Sequence, residues 1–187
     1  MRLPLLATLL ALIATPSFAQ SGANDIDLDA LAKQPGFTVT KKVENGEEIV
    51  EARKASVTLR KASKGVTGSD SKSAVLCAWQ IYVAVKLAAD VCFPDSHAEL
   101  RQDLTDAVGR IKRFIVANSL TPVTDADLDA YVQHEAQQAA KRPRSASVTE
   151  LCSGSLKELE DEGHAKRRSE VDDLLAEPRP PVMNPCL

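Results

Sequence analysis

The segment Ser73–Cys92, SAVLCAWQIYVAVKLAADVC, narrows the choice of fold most: it is apolar around most of a helical circumference and carries two of the four cysteines. At 100° per residue, Ala74, Cys77, Ala78, Ile81, Val85, Ala88 and Cys92 share one broad apolar side, and Lys72, Trp79, Lys86 and Asp90 fall on a narrow stripe. Such a helix has to be covered by several neighbours. Cys77 and Cys92 sit about 22 Å apart along it at 1.5 Å per residue, well beyond the roughly 7 Å between Cα atoms that a disulfide spans. Each must therefore pair with a cysteine elsewhere.

The chain opens with Met1-Arg2, an apolar run Leu3–Ile13 broken only by Pro4 and Thr8, and small residues two apart at Ser17 and Ala19. These are the marks of a secretory signal peptide, residues 1–19, cleaved after Ala19. The run is shorter than the about 20 residues a membrane helix needs, so the expectation is a periplasmic or extracellular protein with no integral membrane segment after cleavage. In that setting four cysteines read as two disulfides, and no close C-x-x-C pair points to zinc. The formal net charge of −3 is spread over both signs, which leaves no basic field for nucleic acid.

Residues 20–71 read as an N-terminal segment. Asp25–Lys33 has the acidic start of a short helix, and Asn45-Gly46 has the residues of a tight hairpin turn. Pairing about that turn puts Phe37, Val39, Val43, Val50 and Ala52 on one face, opposite Thr38, Thr40, Lys42, Glu51 and Arg53. A helix over Glu47–Lys61 is the competing reading. Ala62–Ser73, rich in Ser, Gly and Lys and without periodicity, reads as a linker.

Residues 72–187 read as the helical domain. His97–Ala117 carries one buried stripe at Leu100, Leu104, Val108, Ile111 and Ile115. Thr124-x-x-Asp127 resembles a capping box and starts a helix to Lys141, Lys141–Ser145 is a charged loop, and Ser147-x-x-Glu150 starts a fourth helical region. That region holds Cys152, Leu156 and Leu159, lapses at His164–Ser169, and resumes at Val171, Leu174 and Leu175. The proline-rich end, 178–187, must run extended. If the helices run up and down with short loops, Cys92 meets Cys152 and the tail brings Cys186 to Cys77. The expected fold is mainly α, a disulfide-stapled four-helix bundle with a small N-terminal β-hairpin and an extended C-terminal tail.

No catalytic signature stands out. Asp25-x-Asp27-x-Asp29 and Asp125-x-Asp127-x-Asp129 begin like calcium loops but lack the glycine and the final acid of one. His97, His134 and His164 form no paired-histidine motif. Arg60-Lys61, Lys141-Arg142 and Lys166-Arg167-Arg168 have no aromatic residues among them and read as solvated faces. No cofactor or metal is expected. The function expected is non-enzymatic binding of another envelope or secreted protein, with Trp79, Val83, Lys72 and Lys86 as a candidate partner-binding stripe. Because large aromatics are usually well buried, the arrangement favoured over an open stripe is one in which the apolar hairpin face, Phe37, Val39 and Val50, folds over Trp79. The alternative function is an enzyme or metal-dependent protein whose site draws together Asp90, His97, His134 and Glu135 from different helices.

Overall fold

A computed structural model describes residues 26–141 and 152–186. The signal segment, the loop after Lys141 and the capping box at Ser147 lie outside the described residues. The fold is not a helical bundle with a small hairpin: a four-stranded antiparallel sheet stands beside the helices. A short helix α1, Leu28–Leu31, is capped by the Asp27 side chain, which accepts from the Asp29 and Ala30 amides. Four strands follow in spatial order β1-β2-β3-β4: Thr38–Glu44, Glu47–Lys54, Val57–Ala62 and Gly65–Asp70.

The first hairpin turns at Asn45 and Gly46, both at positive φ, with Val39 opposite Ala52. Its faces are those that alternation predicts, and the helix over Glu47–Lys61 does not form. The expected linker, Ala62–Ser73, instead holds the β3–β4 turn and strand β4. β2 passes to β3 through Ala55 at φ 51°, a left-handed conformation unfavourable for a residue with a Cβ, so no Gly or Asn announces the turn. β4, GVTGSD, is weak in strand formers, and tertiary contact makes it a strand. A Cβ at Gly68 would lie 2.7 Å from Val182 Cγ1 of the C-terminal tail, so only glycine lets the tail pack there.

Helices α2 (Val75–Cys92), α3 (Ala98–Asn118) and α4 (Asp125–Lys141) follow. Thr124 and Asp127 exchange hydrogen bonds as a capping box at the start of α4. Among the described residues the last helical region includes α5 (Ser155–Asp161) and α6 (His164–Leu175), separated by Gly163 at φ 80°. The described residues thus form six helices and a four-stranded sheet, in place of the expected four-helix bundle with a small hairpin.

The inner face of the sheet, Val50, Ala52, Val57 and Leu59, packs with α1, Cys77 of α2 and Val182. Val75, Trp79 and Val83 of α2 pack with Ile111 and Ile115 of α3, Leu128 and Tyr131 of α4, and Val171 and Leu174 of α6. A third cluster joins Ala89, Leu100, Leu104 and Leu156. α2 is long and apolar enough to cross a membrane, with a mean hydropathy of 1.6, and here it contributes to all three clusters. The other sheet face buries Ile49 and otherwise carries charged residues, with Glu51 held among Lys42, Arg53 and Arg60.

The disulfides are Cys77–Cys186 and Cys92–Cys152, with Cα atoms 5.3 and 5.4 Å apart. The tail runs between β4 and α2. Leu76 N donates to Val182 O and Asp70 N to Asn184 O. Arg179 of the tail is buried against Asp70 at the end of β4.

Candidate functional site

The stripe singled out on α2 is not a surface. Trp79 is 3% exposed and Val83 1%, and Trp79 packs against Tyr131 of α4 with ring centroids 5.0 Å apart. Helices cover it, and the hairpin residues Phe37, Val39 and Val50 belong to a different cluster. A helix apolar nearly all round leaves its inward side open to choice, and here the bulkiest side chain faces the other helices. Lys72 pairs with Glu177 and Lys86 with Asp90. Tryptophan emission is expected at short wavelength in the native protein, and Trp79→Ala should cost about 3–5 kcal/mol. Long-wavelength emission from the folded protein would contradict this packing.

The four residues of the metal or enzyme alternative do not meet. Asp90 is held by Lys86. His97 stacks on Phe93 and reaches Glu160 Oε2 at 3.0 Å. His134 is exposed on α4, with Glu135 half-buried beside it. Among the described residues, no three His, Cys, Asp or Glu form a group that could hold a metal ion.

A cavity of about 480 Å³ opens instead between α3 and α6, with Tyr82 of α2 in its wall. Its inner end is a buried ion pair. Asp103 Oδ2 accepts from Arg167 Nε at 2.9 Å and from Nη2, and Asp103 Oδ1 faces His164 Nδ1. Arg167 Nη1 also donates to the Leu159 and Glu160 carbonyls at the end of α5. With both partners hydrogen-bonded in this way, the pair is satisfied and fixes α6 against α3. The Lys166-Arg167-Arg168 group is thus only partly the solvated face the sequence implies. The missed signal is positional: Asp103 sits beside Leu104 on the α3 stripe, and Arg167 lies one turn before Val171.

Four arginines and two aspartates line the cavity. Arg110 pairs with Asp172, and Asp106 accepts from Gln102 Nε2. Arg113 and Arg168 have no ion pair or hydrogen bond among the described residues. Leu104, Ala107 and Val171 supply the apolar wall. Burial, reinforced by Glu170 and Glu162, pushes the Tyr82 hydroxyl up to about 12, so it remains a neutral donor at ordinary pH. Burial, then Glu162, also raises the carboxyl of Glu170, whose Oε1 is buried without a partner.

Gly109, in the middle of α3, also lines the cavity. An interior helical glycine costs about 1 kcal/mol relative to alanine, and a Cβ there would meet only Arg113 Nη1, at an ordinary 3.6 Å. Packing supplies no reason for it. Comparison of the chain with known protein families, curated proteins and solved structures gives no match.

Proposed function

We propose that this is an exported, non-enzymatic protein of an oxidising compartment that binds another protein through the cavity between α3 and α6. The observation that carries the reading is the pair Arg113 and Arg168, two guanidinium groups without partners among the described residues at a 480 Å³ cavity in a chain of net negative charge. Asp103, Arg167 and His164 are engaged with one another and with helix carbonyls, so they stiffen the wall. Two disulfides suit an oxidising environment, and the signal-like start of the chain supplies the route there.

The test is capture on immobilised protein from the exported fraction of the producing cell, comparing the native chain with an R113E/R168E variant of unchanged melting temperature. A protein retained by the first and released by the second is the expected result. Equal retention would place the partner surface elsewhere, and no specific retention would remove the binding role.

A further inference from the structure

Resting on the binding role above, we infer that the groove between α3 and α6 takes a short acidic peptide segment of the partner, an apolar side chain flanked by carboxylates. Three observations converge on this ligand. The α3 side of the cavity runs from Asp103 to Arg113, ten residues or about 15 Å along the helix. An extended peptide advances about 3.3 Å per residue, so the groove matches four or five residues, which is longer than a single small anion needs. Its volume is that of a cleft that encloses a ligand of this size.

Charge and polarity divide along the groove in the same way. Arg113 comes from α3 and Arg168 from α6, so the cations without partners among the described residues stand on two walls, with Leu104, Ala107 and Val171 in the cavity lining. A guanidinium is suited to planar, bidentate pairing with a carboxylate. Arg110 and Arg167 are already paired, to Asp172 and Asp103, so the ligand engages the other two.

Gly109 is the third observation. It lowers the intrinsic stability of α3 without relieving any clash within the protein. What its missing side chain leaves is open wall on the cavity. A peptide lying along α3 uses that opening, and the glycine is accounted for by the ligand rather than by the fold.

The test uses the full exported chain and a labelled, end-blocked pentapeptide alternating glutamate and leucine, followed by fluorescence anisotropy at low salt. The peptide is expected to bind with Kd below about 1 mM, to move the Gly109 amide resonance, and to weaken at least tenfold when glutamine replaces its glutamates. R113Q/R168Q should weaken it at least tenfold at unchanged melting temperature. G109L should block it, and G109A, which stabilises the helix, should raise the melting temperature and bind no better.

Equal binding of the glutamine peptide, or undiminished binding by R113Q/R168Q, would overturn the inference. So would inorganic phosphate that displaces the peptide and binds as tightly, since the site would then be one for a small anion. If the pentapeptide fails while capture still depends on Arg113 and Arg168, the ligand class falls and the binding role stands; if it binds while capture finds no partner, the role falls instead.

Discussion

Replacing Arg179 with methionine is expected to lower the stability of the protein by about 3–5 kcal/mol, read as a shift of the urea midpoint at pH 7. Arg179 is 2% exposed and Asp70 1%, and Arg179 Nε donates to Asp70 Oδ2 at 2.6 Å. The rest of the guanidinium donates to the carbonyls of Leu174, Glu177 and Ser73. One side chain therefore joins the end of α6, the start of α2, the end of β4 and the tail. Asp70 accepts in addition from the Lys72 and Ser73 amides. Methionine fills similar volume but leaves a buried carboxylate and several carbonyls without their cation.

The pH dependence separates this from simple loss of packing. Burial works to raise the Asp70 carboxyl, but Arg179 and the other hydrogen bonds outweigh it and hold the carboxyl below its ordinary value. The folded value lies below the unfolded one, so the contribution is present above the ordinary carboxylate range and is lost as pH falls through the folded value. In Arg179→Met the balance reverses: burial without the cation raises the carboxyl, and the penalty grows as pH rises. The difference between native and variant should therefore be largest at neutral pH and shrink toward pH 3. A difference independent of pH would mean that Asp70 does not depend on Arg179.

Reduction is the second large effect. Cys77–Cys186 joins residues 109 apart in sequence and Cys92–Cys152 residues 60 apart, and closing loops of these lengths removes unfolded-state entropy worth roughly 4 kcal/mol each in the chain-entropy treatment. Cys77–Cys186 should count for more, because its loss also releases Val182 from Gly68 and Asn184 from the edge of β4. Dithiothreitol should lower the melting temperature by many degrees and EDTA should leave it in place. Cys77→Ala/Cys186→Ala should unfold at lower urea than Cys92→Ala/Cys152→Ala. Sensitivity to EDTA without sensitivity to thiol would contradict the disulfide framework.

Elements defined by local chemistry were legible in the sequence. The α3 stripe, the Thr124–Asp127 box and the Asn45-Gly46 turn each need only a few neighbouring residues to specify them; helix length forbids Cys77 from reaching Cys92, and an up-and-down order of the helices then selects between the two pairings that remain. What depends on distant contacts was not legible. β4 reads as a linker because its glycines are weak strand formers, and the reason for Gly68, Val182, lies more than a hundred residues away. The turn at Ala55 carries a backbone conformation that its residue type does not advertise. On α2, an apolar surface nearly all round left the burial of Trp79 undecided by periodicity. The cavity was hidden for a related reason: Asp103 and Arg167 each look like surface charges until the two helices are brought together.

The tail between β4 and α2 also sets a timetable. Until residues 179–186 have joined the chain, Asp70 has no cation, the edge of β4 has no neighbour at Ser69, and Cys77 has no partner. A chain lengthening from its amino end can turn its hairpins and wind its helices early, but it cannot complete the seam between sheet and helices. The seam between sheet and helices therefore closes only with residues 179–186 in place, however early the hairpins and helices form.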